Sequence, residues 1–341
     1  MSLDLKSMTR PELTDWVQSR GFPRYRADQL YGHLCRGVAS LSDFPNLPRP
    51  LLEEIERENG LSPFEIVNKR RSLLDETAKY LVKLKNQDTV ECVVMSYDHG
   101  LSACLSTQAG CRMGCAFCAT GKGGFSRNLT AGEIRDEFLF LQKDQGRRID
   151  SFVLMGMGEP LDNYDAVVRF LELMRDPDGV GLSPRHAVLS TCGLPDRIRS
   201  LARDGGGVTL AVSLHAPNDS LRRELLPIAR AVSISDLLDS CRFYEQSTGR
   251  RVTFEYTMIH GFNDTPACAR ELCGRLAGMR NRHVNLIPVN PVEGSPFRPS
   301  TKAEIFAFQK LLQKGGVTAT VRRSLGSDIS GSCGQLRAEQ I

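Results

Sequence analysis

Nowhere does the 341-residue chain approach the roughly 18 consecutive apolar residues that a membrane span requires. The opening MSLDLKSMTRPEL has no apolar signal core either, so a cytoplasmic location without a membrane partner is expected. Low-complexity linkers are missing, and 41% hydrophobic with 25% charged residues is ordinary for a globular protein, which excludes disordered, collagenous and fibrous classes. Net charge is scarce: +4 at pH 7 names no partner by itself. Cysteine is plentiful, but eleven is an odd number, and without an export signal these residues read as thiols or metal ligands rather than a disulfide framework.

The basic residues come in clusters: Lys69-Arg70-Arg71, Arg147-Arg148, Arg250-Arg251, Arg280 with Arg282, and Arg322-Arg323. Each alone reads as solvated surface; together they permit an RNA-facing side.

The chain is longer than the roughly 250 to 300 residues at which one core stops growing, so a main domain with an accessory one is expected. Thr9 with Glu12 makes a capping box at the head of a helix, and helical pattern returns around Arg26–Leu30 and Leu51–Ile55, broken by the proline-rich Pro45–Pro50. Residues 1–60 thus form a helical module, either a scaffold or an RNA grip. Alternation at Tyr80, Val82 and Leu84, a turn at Asn86-Gln87-Asp88 and the β-rich Val90–Val94 predict a β-hairpin connector over 61–98. From 99 to 341, short β-rich runs alternate with helical ones. The strands are expected at 101–106, 152–155, 187–190, 208–214, 252–258, 283–288 and 317–321. That order implies an α/β fold with a parallel sheet, open or curled into a barrel, and every strand's C-terminal end on one rim.

Cys111, Cys115 and Cys118, spaced Cys-x3-Cys-x2-Cys, can converge on one 4Fe-4S cluster and leave an iron without a protein ligand. Zinc sites usually join one Cys-x-x-Cys to a second pair or to histidines, which this stretch does not supply. The triad, in a loop after the first strand of a βα series, resembles the radical S-adenosylmethionine (SAM) superfamily. That resemblance implies a partial (β/α)6 TIM-like barrel, SAM chelated by the open iron, and reductive cleavage to a 5′-deoxyadenosyl radical. Phe117 would shield the cluster. Gly158-Glu159, ending a hydrophobic strand in Met-Gly-Met-Gly-Glu-Pro, would receive the methionine ammonium. Ser190, Ser213, Leu214 and His215 would contact its ribose or methionine part, and Asn290 its adenine side.

Further motifs narrow the resemblance: Leu105-Ser106-Thr107-Gln108, Arg127-Asn128-Leu129-Thr130, Ser213–Asp219, His283–Pro288, and a glycine-rich tail, 326–336, that carries Cys333. From about residue 5 to residue 337 the chain is similar to the RlmN/Cfr family of RNA adenine methyltransferases. The family's chemistry implies that Cys333 takes a methyl group from one SAM and becomes methylcysteine. A second SAM supplies the radical that activates this methyl, which adds to the base. Cys104 would resolve the adduct by forming a disulfide with Cys333, or assist proton removal, and Glu91 would be the proton acceptor. Cys35, Cys92, Cys192, Cys241, Cys268 and Cys273 are left as ordinary thiols. Ser332, where alanine is frequent, and Cys192 depart from the family pattern without removing a chemical group.

The leading expectation is methylation at C2 of adenine 2503 in 23S rRNA, and in some members of adenine 37 in tRNA, with a flavodoxin-type electron donor. Pro160 and the N-terminal module favour this RlmN type. The rival is the Cfr type, which methylates C8 of the same rRNA nucleotide and confers antibiotic resistance. Cys104 and Cys333 together argue against a non-catalytic RNA-binding protein that keeps its cluster for structure, and with the N-terminal module against a small-molecule radical enzyme.

Overall fold

A computed structural model describes residues 4–58 and 60–337. The N-terminal helices span Arg10–Ser19, Tyr25–Leu34 and Arg49–Arg57. Thr9 caps the first by the reciprocal bonds its spacing predicts, the Thr9 N–H donating to the Glu12 carboxylate at 2.7 Å. Their inner faces, with Leu13, Trp16, Leu30, Phe44 and Leu51, form a core separate from the main one. A buried ion pair fastens this module to the rest: Lys6 Nζ lies 2.5 Å from Asp136 Oδ2 and donates to Ser62 O at 2.9 Å. Burial pushes the Asp136 carboxyl up to about 6 while Lys6 pulls it down. Removing either partner of such a pair costs about 3–5 kcal/mol, because the other is left buried and alone.

The strands are β1 (Glu65–Arg71), β2 (Ala78–Lys83), β3 (Thr89–Tyr97), β4 (Gly100–Cys104), β5 (Gln108–Gly110), β6 (Phe125–Asn128), β7 (Ser151–Leu154), β8 (Ala187–Thr191), β9 (Thr209–Ser213), β10 (Val252–Met258), β11 (His283–Pro288) and β12 (Thr318–Val321). Ten of them make one sheet in the order β1-β2-β3-β4-β7-β8-β9-β10-β11-β12. The first four are antiparallel neighbours; from β4 onward every neighbour is parallel. Seven parallel strands joined by six crossovers, in an order that starts at β1 and ends at β12 without closing, make the partial barrel. All seven stand where the alternating pattern puts them, within a residue or two.

The β2–β3 hairpin turns through Asn86 and Gln87, both at positive φ. It is not isolated: β3 pairs with β4, so the connector and barrel share one sheet. Strand β1 escapes a hydrophobic reading because its residues are mostly exposed and end in Lys69-Arg70-Arg71, the charged composition that suits a sheet edge. In the middle, all seven residues of β10 are buried, as a strand covered on both faces must be. Parallel direction then brings Cys104, Met155, Ser190, Ser213, Thr257 and Arg322 to one rim. Among the described residues no helix is long and apolar enough to cross a membrane.

Candidate active site

The antiparallel pair β5 and β6 brackets the three-cysteine loop, with Gln108 opposite Asn128. Gly110, at φ +77°, lies so close to Gly124 that a Cβ would sit 2.1 Å from the Gly124 carbonyl oxygen, so only glycine starts this loop. Cys111 N–H donates to Gly124 O at 2.7 Å, and Ala116 N–H to Leu225 O at 2.9 Å, fixing the start and the middle of the cysteine run. All three thiols, half-buried, line a single cleft of about 960 Å³ including its open mouth. Burial pushes Cys111 up to about 11 and Cys115 higher, and neighbouring thiols raise both further. Thiols that oppose one another's ionisation in this way become thiolates together when a cation binds, which suits a three-ligand 4Fe-4S cluster. Phe117 packs edge-on against the His215 ring, with centroids 4.9 Å apart, beside the loop.

Glu159 faces the same cleft from the end of β7 and is buried. Its two oxygens accept from Leu161 N–H at 3.0 Å and Cys192 N–H at 2.7 Å, and its own N–H donates to Gln108 Oε1 at 2.9 Å. Burial raises its pKa and the Cys192 N–H opposes that. The remaining lone pairs face a site where a cationic ammonium would relieve the desolvation. Gly158 has φ +105°, and a Cβ there would meet Gln108 Cβ at 2.7 Å. The glycine is thus required by the chain's own packing, in addition to any ligand. Gln108 also donates to Asn128 and Asp162, each at 2.8 Å, which ties the glutamate loop to both flanks of the cluster loop.

Ser190 and Ser213, at the ends of β8 and β9, line the cleft. Leu214 does not: it is fully buried, and its N–H donates to Glu255 O at 3.1 Å. His215, at φ +58°, accepts through Nδ1 from Thr257 N–H at 3.0 Å, which leaves the proton on Nε2. Burial first, and Arg222 second, push its pKa down to about 3. An unfolded imidazole titrates near 6.5, so between those values only the unfolded chain takes the proton. This contribution to stability is complete above about pH 6.5 and is lost as pH falls toward 3, at about 1.4 kcal/mol per unit. Between about pH 7 and about pH 5, denaturant unfolding should cost wild type about 2 kcal/mol more than His215→Asn, since asparagine tolerates the left-handed backbone. Equal losses would show that His215 is not buried neutral.

The tail reaches this cleft from the other side. Ala119 N–H donates to Gly334 O at 2.8 Å and Thr120 Oγ1 to Leu336 O, so the turn that carries Cys333 is bonded directly to the cluster loop. Asn290 Nδ2 donates to Cys333 O at 2.9 Å, while Ser324 Oγ donates to Asn290 Oδ1 at 3.3 Å. Asn290 is therefore engaged with the tail while bordering the cleft. Cys333 is exposed and lines both the cleft and an adjoining cavity whose wall includes Cys104. Burial, with Cys333 next, pushes Cys104 up to about 12, so it keeps its proton at neutral pH and is no base in this state.

Glu91 is not the solvated charge a hairpin glutamate ordinarily is. It is buried, 2.9 Å from Lys79 Nζ, and accepts from Arg337 N–H at 3.0 Å. It lies under the tail and on the wall of neither cavity.

The radical SAM superfamily profile matches residues 105–268. A relative from Lachnoclostridium phytofermentans, called probable dual-specificity RNA methyltransferase RlmN, is 43% identical over 98% of this chain and 94% of its own length. One of the same name from Clostridium perfringens (strain 13) is 45% identical over 99% and 97%. The crystal structure of a radical SAM methyltransferase from Sphaerobacter thermophilus superposes with a TM-score of 0.94 at 41% identity, covering 99% of this chain and 100% of that one. The chain belongs to the RlmN family.

As a radical SAM methyltransferase of the RlmN family it uses a 4Fe-4S cluster and SAM. Three residues of its cleft are given no role in the sequence reading. Cys192, set aside as an ordinary thiol, lines the cleft, holds Glu159 through its N–H, and accepts from Arg222 Nη2 at 2.6 Å through its carbonyl. Glu255 sits mid-sheet in β10, where a carboxylate interrupts an apolar run, the one clue available beforehand. Arg322 belongs to a basic pair that reads as surface, yet it borders both cavities, because the end of β12 delivers it to the rim.

Proposed function

We propose that this protein is an RNA methyltransferase acting in the cytoplasm on C2 of adenine 2503 in 23S rRNA, and on C2 of adenine 37 in tRNA. It draws on two SAM molecules per turnover and a flavodoxin-type electron donor. The observation that carries the reading is the bonding of the Cys333 turn to the cluster loop, with Cys104 on the wall of the adjoining cavity. A sulfur that takes a methyl group must stand within reach of the place where the radical forms, and a resolving thiol must stand within reach of that sulfur.

In this reading Cys111, Cys115 and Cys118 hold the cluster, which when bound supplies the electron that cleaves SAM to the 5′-deoxyadenosyl radical. Gly158 and Glu159 receive the methionine ammonium; Ser190, Ser213 and His215 form the wall along its ribose and methionine part, with Leu214 buried off that wall; Asn290 stands between its adenine side and the tail. Cys333 carries the methyl group to the base. Cys104, protonated and shielded, stays in reserve to break the adduct by forming a disulfide with Cys333. Glu91 takes the ring proton once the tail releases its carboxylate. Residues 1–60 grip the RNA, 61–98 connect, and 99–341 form the barrel and its catalytic tail.

The test is nucleoside mass spectrometry of unmethylated 23S rRNA and tRNA after anaerobic treatment with reconstituted enzyme, SAM and reductant. The expected product is 2-methyladenosine in both. Product at C8 would assign the chain to the Cfr type, and no methyladenosine from an enzyme with an intact cluster would overturn the RNA reading.

A further inference from the structure

Arg222, on the helix Asp219–Leu225, is fully buried, and among the described residues its hydrogen bonds go to backbone carbonyls alone. Nη2 donates to Cys192 O at 2.6 Å and Nη1 to Val232 O at 3.5 Å, while Nε has no partner. Keeping a guanidinium out of water on such terms is costly. Cys192 is gripped from both sides: its carbonyl by this guanidinium, and its N–H by Glu159 Oε2, to which it donates at 2.7 Å. The next residue, Gly193, has φ +103° and no side chain to steady the turn. With the Cys192 carbonyl released, the backbone at 192–193 is free to rotate and to carry the Cys192 N–H away from the carboxylate.

The same helix reaches the cysteine loop. Its last residue, Leu225, accepts through its carbonyl from Ala116 N–H at 2.9 Å, between Cys115 and Cys118. One short helix thus touches the loop of three thiols at its end and, through Arg222 and Cys192, the carboxylate at the end of β7. We propose that Arg222 is a positioning residue for the cofactor, holding the turn after β8 so that Cys192 N–H keeps the Glu159 carboxylate aimed at the methionine ammonium of SAM. The proposal rests on the reading of Glu159 as the group that receives that ammonium.

Oε1 of Glu159 is held within its own loop, by Leu161 N–H two residues on, whereas Oε2 is held by Cys192, 33 residues away across the strand ends. Loss of the second bond lets the carboxylate swing about the first. The ammonium then meets a group that is not yet oriented, and its binding bears the cost of ordering it. Arg222 donates to no residue along the nucleoside end of the cleft, where Asn290 stands. Its effect is therefore confined to the methionine end.

The test is equilibrium dialysis of two radiolabelled ligands against the full chain, reconstituted anaerobically. One is SAM; the other is 5′-methylthioadenosine, which has the nucleoside but neither the amino nor the carboxylate group. Arg222→Met should weaken SAM about tenfold, the worth of one charge-assisted hydrogen bond, and leave methylthioadenosine unchanged. Arg222→Gln, which keeps a donor without the reach, should show the same selective loss and decides the matter where Arg222→Met does not fold. Glu159→Gln should also weaken SAM alone, and adding Arg222→Met to it should cost nothing further, because both act through one carboxylate. Unchanged iron and sulfide content is the folding control. Equal loss of both ligands would reduce Arg222 to a structural residue, and undiminished SAM binding or full additivity in the double variant would overturn the proposal outright. Wild-type SAM binding by Glu159→Gln would instead remove the ammonium reading, and the role of Arg222 with it, whereas a loss in Glu159→Gln and none in either Arg222 variant would sink the proposal alone.

Discussion

Cys115→Ala should reduce bound iron after anaerobic reconstitution from about four atoms per chain to near zero, with loss of all methyl transfer. Cys115 is the deepest of the three proposed ligands, and its pKa is raised first by burial and then by Cys118 and Cys111. Its position is set by backbone on both sides: Cys118 N–H donates to Cys115 O at 3.1 Å, and a Cβ on Gly121 would come within 3.0 Å of Cys115 N. Alanine removes the thiolate without disturbing these contacts, so the loop keeps its shape and loses only a ligand. Two thiolates cannot hold the cubane against solvent, and Cys111→Ala and Cys118→Ala should behave alike. Cys241→Ala, which removes a buried thiol of helix Ile234–Thr248, is the control and should retain full iron. Iron and sulfide analysis decides it, and a Cys115→Ala protein with wild-type cluster content would remove Cys115 from the ligand set.

The features legible in the sequence are those whose physics is local. Thr9 with Glu12 announces a helix start because the capping box closes within four residues, and it is formed. The cysteine spacing is likewise local, because the three ligands must share one loop. The parallel strands show through as short β-rich runs, most plainly β10, which is buried on both faces. What stayed hidden depends on distant partners. Glu91 reads as a surface charge until Lys79, on the neighbouring strand, and the tail close over it. Arg322 reads as half of a basic pair because nothing nearby in sequence reveals that Glu255, 67 positions earlier, and Cys333 share its cavity walls. Cys192 depends on the Glu159 carboxylate reaching its N–H from an adjacent strand end. In each case the residue type was visible and its surroundings were not.

The two tail-side cysteines should fail in different ways. Cys333→Ala is expected to lose both the methyl group on the protein, followed as a deuterated label from SAM, and methyladenosine in RNA, because in the proposed function its sulfur accepts the first methyl. The exposed turn tolerates the change: the bonds from Ala119 N–H to Gly334 O and from Asn290 Nδ2 to Cys333 O involve only backbone of the tail, so the cluster loop and RNA affinity should be kept. Cys104→Ala removes a thiol that shares a cavity with the proposed methyl carrier and is too strongly held in its protonated form to compete as nucleophile. Methylation of Cys333 should therefore continue at wild-type level, and the block should come at release, where no second sulfur is available to form a disulfide with Cys333 and free the base. The expected result is a covalent RNA–protein species that resists denaturant and is absent from Cys333→Ala and from the double variant. Denaturing gel electrophoresis with labelled RNA separates the cases. Free 2-methyladenosine at wild-type rate from Cys104→Ala would mean that the adduct is resolved without Cys104, and that the buried thiol at the end of β4 serves only to fill the cavity wall.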